Sequence, residues 1–489
     1  MICWTSFLNK IVGMLLGLLL LSGCAGRGAV GPTPLRVDIA AIRQEGPQVV
    51  GQGTLRVRAT AAGATGPLRY ALLSQKAGLT MLEASGDQAS WQWRPKMPGA
   101  YRLQVVAMDG EGRRTVSAWS ALHHFAPALD DRTLVALLPP DNISGTSAPL
   151  ADIHAALRRH LAAAGLRLLE AERLSAFMEK HRMRHTGGLD SDLARALRQE
   201  TGAEAVFISA LESWQERGEP RVAMLARLVL TTDLPEIVWM DSVGLAGNER
   251  PGLLGLGRVT RPTELLNKAL TRLTGSLIRY KAGQHRSYRG PRQVAGRDYQ
   301  AAEPPRQEPG ADLLGADRRA VHAPRSSHRL SGFRADRPYS VAVVPFLNIE
   351  ARTNAGQVMA LHFVKELHRY ENIRVIEPGV VRHTLLKYRM IMEAGPSLAV
   401  SDVLASDTIL GADLILSGKV FDYQGETTTS KVDFSVQIFD GPQRRVVWNS
   451  RSYADGDERV YFFDMGRIAS AHGLASRMAG RACEKFLQD

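Results

Sequence analysis

Few side chains in this sequence combine the types and the spacing that catalysis or metal binding requires. His181 and His185 stand four residues apart, and on a helix that spacing puts two imidazoles on one face as a pair of metal ligands. The cationic neighbours Lys180, Arg182 and Arg184 oppose the binding of a dication, and no carboxylate is adjacent. We therefore interpret the pair as a solvated basic helix face, and the sequence predicts no metal site and no cofactor.

The sequence motifs of common nucleotide-binding and hydrolytic sites are also missing. There is no Walker-type phosphate loop, no dinucleotide-binding glycine motif after a strand, no HExxH and no GxSxG. Asp455, Asp457 and Glu458 lack the rest of a calcium-loop pattern, so we interpret them as a polar turn. We expect a protein that is not an enzyme, and a site assembled only in three dimensions is the alternative left open.

Cys24 has the clearest chemistry, because of the residues that precede it. An apolar run from Ile11 to Leu21 is 11 residues long, about half of the roughly 20 residues that a membrane-spanning helix needs. Lys10 precedes the run, and the small residues Ser22 and Gly23 follow it. This pattern is typical of a secretory signal and predicts that the elements carrying any function lie beyond it.

The stretch Leu21-Ser22-Gly23-Cys24 resembles the lipobox of bacterial lipoproteins. In that family the cysteine is diacylated on sulfur, freed by cleavage before it and acylated on its new amino group. The resemblance implies a signal peptide over 1–23 and lipidation of Cys24, against the alternative of an ordinary signal peptide with a chance cysteine. In the family an Asp after the cysteine usually retains the protein in the inner membrane. Ala25 stands here, so we expect a lipid anchor in the outer membrane, facing the periplasm.

Length, charge and cysteine count are consistent with an exported protein of several domains. The 465 residues after Cys24 suffice for roughly three domains. A net charge of +12 could indicate a protein that binds nucleic acid. Much of this charge lies in one segment, because residues 284–337 contain 11 Arg and 6 Asp or Glu and contribute +5. We interpret this segment as a solvated basic linker and expect no nucleic-acid partner. Cys483 is the one remaining cysteine after Cys3 and Cys24, so the domains fold without an intramolecular disulfide.

The first domain is predicted to be a β-sandwich. A Gly/Pro-rich tether occupies 24–34, and over 35–127 apolar residues alternate with polar ones in short runs separated by turns. The segment from Pro98 to Gly112, a Pro-Gly turn, a strand begun by Tyr101 and an Asp-Gly-Glu-Gly end, resembles immunoglobulin-like modules of the PKD or triple-tyrosine type. Such modules serve as spacers or as adhesion surfaces, so the resemblance implies a fold without a ligand.

Beyond Asp131 the sequence repeats itself. The apolar strand starting at Leu134 is echoed at Ser340, 206 residues later, and the Gly-Ala-acid strand of 202–208 and the Val-Trp strand of 237–239 recur 209 residues later. Ordered echoes at nearly equal spacing predict two copies of one α/β domain with a mixed sheet, over 131–283 and 338–489. The residues between them, 284–337, contain few branched apolar side chains and are predicted to be disordered.

Each copy opens with an apolar strand followed by Pro-x-x-Asn, at Pro139 with Asn142 and at Pro345 with Asn348. This arrangement resembles the superfamily of the curli-secretion lipoprotein and the amino-terminal domain of the Tol-system propeller protein, with lipoprotein activators of penicillin-binding proteins and Pel-type export lipoproteins among its relatives. The resemblance implies lipid-anchored envelope factors that bind partners or form rings without catalysis. Phe346 keeps the family's aromatic, whereas the first copy has a second proline in its place.

Proline ends the ladder of the strand, and the following Asn caps the loop, so the motif is structural first. The same rim of an open α/β sheet is where ligands usually bind. We therefore take Pro139, Asn142, Pro345, Phe346 and Asn348 as candidate rim contacts for a partner. We expect Phe346 at the rim, against the alternative of a core phenylalanine.

These inferences predict a multi-domain lipoprotein: a β-sandwich followed by two repeated α/β domains. The expected function is non-enzymatic, the scaffolding or assistance of an envelope assembly, export or secretion apparatus. The expected partners are the membrane through the lipid anchor, envelope proteins or an exported polymer, and further copies of the chain. A curli-channel-like pore subunit and an activator of a cell-wall synthase are the alternatives. A pore would need long amphipathic hairpins, and the sequence shows no such insertion.

Overall fold

The computed structural model describes most of the chain after the tether. The described residues are 34–45, 50, 53–76, 79–96, 99–120, 123–125, 129, 132–248, 258–282, 322–334, 339–350, 352–370, 373–390, 397–406, 408–425, 429–458 and 467–488. The predicted signal peptide and Cys24 lie outside them. None of the described helices is long and apolar enough to cross a membrane.

In the N-terminal module, every regular element among the described residues of 34–125 is a β-strand. Its strands are β1 (Arg36–Glu45), β2 (Thr54–Ala62), β3 (Arg69–Lys76), β4 (Leu79–Gly86), β5 (Ser90–Trp93), β6 (Gly99–Met108), β7 (Arg114–Val116) and β8 (His123–Phe125). They form two antiparallel sheets in the orders β1-β2-β5 and β4-β3-β6-β7, with β8 paired to β6. One hydrophobic cluster contains residues of both sheets, because apolar side chains alternate along each strand. Within it Trp93 packs edge-on against Tyr101 and Phe125, with ring centroids 5.1 and 6.0 Å away.

The first α/β unit comprises the described residues of 132–282. Its elements are β9 (Leu134–Leu137), β10 (Asp141–Asn142), α1 (Leu150–Ala163), β11 (Arg167–Leu168), α2 (Ala171–Lys180), α3 (Ser191–Thr201), β12 (Ala205–Gln215), β13 (Arg221–Leu230), β14 (Glu236–Ala246) and α4 (Pro262–Lys281). The sheet order is β11-β9-β12-β13-β14, parallel through β12 and antiparallel beyond it. Pro139 follows β9 and ends its ladder, whereas Asp190 caps α3 and Gly202 ends it in the left-handed conformation.

The second α/β unit comprises the described residues of 322–488. Its elements are β15 (Ser326–Arg329), β16 (Tyr339–Val343), β17 (Leu347–Asn348), α5 (Ala355–Leu367), β18 (Ile373–Val375), α6 (Pro378–Lys387), α7 (Leu398–Ala405), β19 (Leu414–Gln424), β20 (Lys431–Asp440), β21 (Arg445–Asp455) and α8 (Ala471–Gln488). The sheet order is β15-β21-β20-β19-β16-β18. Its strands run parallel from β18 through β16 to β19 and antiparallel from there outward. The mixed α/β character predicted from the sequence is confirmed.

The predicted end of the linker is wrong. Residues 322–334, expected to be disordered, include β15, which pairs with β21 as the edge strand of the second sheet. Phe333 is buried and stacks on Phe486 and on Tyr339, with centroids 5.3 and 5.4 Å away. β15 itself is Ser-Ser-His-Arg and carries no apolar side chain, so its position depends on backbone pairing with β21 and on the buried Phe333 that follows it. Residues 284–321 lie outside the described part of the chain.

The two α/β units share a core. One hydrophobic cluster contains Leu189, Leu225 and Ile237 of the first unit together with Phe363 and Leu474 of the second. Glu236 at the start of β14 also forms an isolated antiparallel bridge with Ile376, just beyond β18. The two units are therefore not independent of each other, because apolar surface of each is buried against the other.

Candidate functional site at the interface of the two units

The candidate rim asparagines cap their own loops. Asn142 donates from Nδ2 to the carbonyl oxygen of Thr146 at 2.8 Å, and its Oδ1 accepts from the Ser144 backbone N–H at 3.1 Å. Asn348 makes the same pair of bonds, from Nδ2 to the Arg352 carbonyl at 2.7 Å and from the Glu350 N–H to Oδ1 at 3.2 Å. Both side chains thus satisfy backbone groups where each strand ends.

Phe346 lies in the core, so its predicted role as a rim contact is wrong. Its side chain is 1% exposed and stacks on Phe363 at a centroid distance of 5.4 Å. Gly418 on β19 makes room for the ring, because a Cβ there would lie 2.6 Å from Cε2 of Phe346. Helix α5 packs against β16, and its Phe363 covers the ring of Phe346. The neighbouring side chain that faces solvent is Ile349, which is 56% exposed.

The two rims are unequal, because the second unit covers part of the first. The loop after β9, which carries the partly exposed Pro139, meets the beginning of α5: Gln357 Nε2 donates to Asp141 Oδ2 at 3.3 Å. A Cβ on Gly145 would lie 2.7 Å from Thr353 Oγ1. Pro345 at the corresponding position of the second unit is partly exposed. The contact of the first rim is thus the second unit of the same chain.

A buried polar cluster that sequence analysis missed lies at this interface. It is centred on Glu212 of β12, whose side chain is 1% exposed. Glu212 Oε2 accepts from His472 Nδ1 at 2.5 Å and lies 3.3 Å from His362 Nε2, whereas Oε1 accepts from the Tyr423 hydroxyl at 2.5 Å. A carboxylate of the first unit is therefore held by three side chains of the second, from α5, α8 and β19.

Electrostatics fixes the protonation of this cluster. Burial alone would raise the pKa of Glu212, but the attraction and hydrogen bond of His472 hold that pKa well below its usual value. Burial lowers the pKa of His362 to about 4, so its imidazole is neutral at pH 7. Burial and the adjacent Glu212 raise the pKa of Tyr423 well above its usual value. The guanidinium of Arg352 lies 4.5 Å above the ring of Tyr423 and donates to the backbone oxygen of Glu212 at 2.6 Å.

A second buried ion pair joins the units. Arg227 of β13 binds Glu377 at the start of α6 through two parallel hydrogen bonds, Nε to Oε2 at 2.8 Å and Nη2 to Oε1 at 2.6 Å. The two side chains are 2% and 0% exposed. Arg227 also donates to the Gly187 carbonyl at 2.7 Å, and the Leu189 and Gly379 N–H groups donate to Glu377 at 3.3 Å. This bidentate pair orients α6 on the first sheet.

The interface opens into a basic cleft of about 510 Å³. Its lining comes from β14, α4, α5 and α8 and includes Asp241, Ser242, Gly244, Arg272, Arg279, Lys365, His472, Ser476 and Arg477. The buried Lys365 donates to Ser242 at 3.0 Å across the interface and forms an ion pair with Glu366 at 2.9 Å. His472 belongs both to the cleft wall and to the Glu212 cluster, so the cluster is reached from solvent through its ring.

The histidines that the sequence offered do not form this site. His181 Nε2 lies 2.9 Å from Glu200 Oε1 at the surface between α2 and α3. The available signal for the true cluster was an ionisable residue among mainly apolar neighbours: Glu212 within β12 and His362 within α5. Such residues are almost never buried without a partner, but the sequence does not identify the partner.

Comparison with known proteins gives structural likenesses only. No protein-family model matches the chain, and no curated protein does. The PelC dodecamer from Paraburkholderia phytofirmans is 16% identical, with 34% of this chain and 99% of that chain covered and a TM-score of 0.23. Lipoprotein GNA1162 from Neisseria meningitidis is 17% identical, with 29% and 99% covered and a TM-score of 0.22. The LpoB C-terminal domain from Salmonella enterica is 20% identical, with 23% and 82% covered and a TM-score of 0.20. TM-scores this low support no functional conclusion, so any function must be inferred from the residues of this chain.

Proposed function

We propose that this chain is a non-enzymatic lipoprotein of the outer membrane, anchored through Cys24 and facing the periplasm, that scaffolds or assists an envelope assembly, export or secretion apparatus. The observation that carries the proposal is Leu21-Ser22-Gly23-Cys24 at the end of an apolar run of 11 residues. At ~0.8 kcal/mol per buried methylene, acyl chains on one cysteine hold a protein at a membrane without a spanning helix.

The architecture supports a scaffold in which the units act together. The order β11-β9-β12-β13-β14 in the first sheet corresponds strand by strand to β18-β16-β19-β20-β21 in the second, and we propose that the units are copies of one domain. The N-terminal module, proposed to be an immunoglobulin-like sandwich, spaces them from the membrane. Two sets of buried polar side chains pair across the interface, Arg227 with Glu377 and Glu212 with Tyr423 and His472, and such pairing supports a fixed body.

The anchor is tested by comparing Cys24→Ser with Cys3→Ser in membrane fractions. Cys24→Ser is expected to abolish labelling by fatty acid and to leave an uncleaved or soluble protein. Cys3→Ser changes a cysteine that the predicted cleavage removes, so that variant is expected to be labelled and fractionated like wild type. If Cys24→Ser still takes up fatty acid and sediments with the outer membrane, the anchor is assigned to the wrong residue.

The scaffold role is tested at the open rim of the second unit. Ile349, at 56% exposure, follows the Asn348 cap and is the exposed apolar side chain of that loop. Ile349→Asp is expected to reduce the proteins that co-purify from membranes, because a charge at a partner contact must be desolvated. Ile278→Asp on α4 is the matched control, since Ile278 is 48% exposed and lies outside the rim. Equal co-purification by both variants would count against the rim as the partner site.

The alternatives predict different outcomes of the same purification. A pore subunit would recover mainly further copies of this chain as a ring, and a synthase activator would recover a cell-wall synthase in stoichiometric amount. Sedimentation of the purified protein separates the first outcome from a scaffold that binds partners as a single copy.

A further inference from the structure

His362 is buried without satisfying its polar atoms. Its side chain is 0% exposed, and neither Nδ1 nor Nε2 has a hydrogen-bond partner among the described residues. The distance of 3.3 Å from Nε2 to Glu212 Oε2 allows an electrostatic contact, but the two groups are not aligned for a hydrogen bond. Buried polar atoms in proteins are nearly always bonded to protein, water or an ion. We therefore expect Nε2 of His362, which faces Glu212, to bind a water or an ion.

The neighbouring groups supply the rest of a metal-binding set. The ligand atoms of Glu212, His362 and His472 all lie within 4.8 Å of one another. Two imidazoles and one carboxylate are a zinc ligand set, and metal–ligand bonds of about 2.0–2.1 Å place tetrahedral neighbours roughly 3.3 Å apart. The distance from His362 to Glu212 already has this value, whereas His472 Nδ1 at 2.5 Å would move outward as an ion replaced the intervening hydrogen.

Surrounding residues orient two of the three ligands, Glu212 and His472. The Tyr423 hydroxyl occupies Glu212 Oε1, which leaves Oε2 directed at both imidazoles. Gly244 on β14 makes room for the ring of His472, because a Cβ at this position would lie 2.5 Å from Cδ2. Partners that fix the orientation of metal ligands in this way are part of a working site.

We propose that Glu212, His362 and His472 form a Zn²⁺ site that joins the two α/β units, with a water reached from the cleft as the fourth ligand. The site goes beyond the scaffold role and does not depend on the lipid anchor. The nearby ammonium of Lys365 opposes a dication, but Glu366 lies 2.9 Å from that ammonium and offsets its charge. Because the carboxylate comes from one unit and both imidazoles from the other, metal binding requires the units to be docked.

The test uses the full-length protein, purified in detergent and stripped with a chelator. Zn²⁺ is titrated in competition with a chromophoric chelator, and Co²⁺ is added separately for its optical spectrum. We expect one equivalent of Zn²⁺ and the visible absorption of four-coordinate Co²⁺. His362→Asn and His472→Asn should each lower the affinity at least about 100-fold, and Tyr423→Phe by about 10–100-fold, as for an orienting partner. His181→Gln, which removes a surface histidine from the pair spaced by four, should leave the affinity unchanged.

Absence of stoichiometric uptake would overturn the proposal and leave the cluster as a metal-free polar network. Uptake retained in both His362→Asn and His472→Asn, or lost in His181→Gln, would place the ion elsewhere. If the buried variants do not fold, X-ray absorption of the zinc-loaded wild type decides: two imidazole nitrogens with oxygen ligands support the site. Sulfur at the metal, which would indicate Cys483, or oxygen ligands alone would refute it.

Discussion

Breaking the ion pair between Arg227 and Glu377 tests the interface directly. Glu377→Gln keeps the shape of the side chain and removes its charge, so the guanidinium of Arg227 is left with neutral acceptors only, one amide oxygen at position 377 and the Gly187 carbonyl at 2.7 Å. Because Arg227 is 2% exposed, water does not replace the lost carboxylate. Removing one partner of a buried pair typically costs about 3–5 kcal/mol, and we expect a loss of this size in the free energy of unfolding.

The double variant Arg227→Met with Glu377→Leu separates charge from packing. Both charges are then absent, no buried group is left unpaired, and apolar replacement of a whole buried pair is often neutral. We therefore expect the double variant to recover most of the stability that Glu377→Gln loses. A loss as large as the sum of the losses in Arg227→Met alone and Glu377→Leu alone would mean that the side chains act through shape rather than through their charges.

Urea unfolding of the full-length protein at pH 7 measures these differences. Asp402→Asn is the matched control, because Asp402 pairs with Arg444 at 2.7 Å but the two side chains are 41% and 66% exposed. An exposed pair contributes roughly 0–1 kcal/mol, so the control should unfold close to wild type. If the free energy of unfolding of Glu377→Gln also lies within about 1 kcal/mol of the wild-type value, the pair is exposed to solvent. The two units would then not be docked through Arg227 and Glu377.

Three further predictions follow from buried groups. Phe346→Ala should lower the free energy of unfolding by about 3–5 kcal/mol with no selective loss of partners, because the ring lies in the core; a normal melt with fewer co-purified proteins would contradict this. Gly379→Ala should cost about 1–3 kcal/mol by overpacking, because its Cβ would lie 2.1 Å from the Leu189 nitrogen, whereas Gly86→Ala, with nothing within 4 Å, should be tolerated in the same melt. Burial lowers the pKa of His123 to about 4 from 6.5, so the unfolded chain binds the extra proton and stability falls as the pH drops from 6.5 towards 4. Between pH 7 and pH 5 His123 contributes about 2 kcal/mol to the loss, beside the contribution of His362, whose pKa burial also lowers to about 4. A loss in His123→Gln as large as that of wild type would exclude His123 as a source.

The sequence predicts the elements better than their association. Apolar strands ended by Pro139 and Pro345, and the Asn that caps each following loop, are local features, and the structure places them as expected. The motif places Phe346 at the end of a strand and therefore predicts a rim position. It does not reveal that α5 packs over this strand end and buries the ring. Strand β15 could not be predicted for a related reason. The formation of a short edge strand depends mainly on the strand with which it pairs, here β21, and little on its own composition.

The candidate site was beyond prediction because its members are distant in sequence. Glu212 and His472 are 260 residues apart, and Arg227 and Glu377 are 150 apart. No local spacing in the sequence connects either residue of a pair to its partner. Only the docking of the two units brings the groups together.

The polar interface also explains how two similar units can present different surfaces. Burying apolar area holds the units together but does not fix their relative orientation, since hydrophobic attraction has no direction. Arg227 with Glu377, and Glu212 with His472 and Tyr423, are satisfied in the observed docking, and any rotation that separated them would leave charges buried without partners. In this docking the first rim is covered at Asp141 and Gly145, whereas Ile349 at the second remains exposed. We infer that the buried charges select one arrangement, and that this arrangement leaves the rim of the second unit open to a partner.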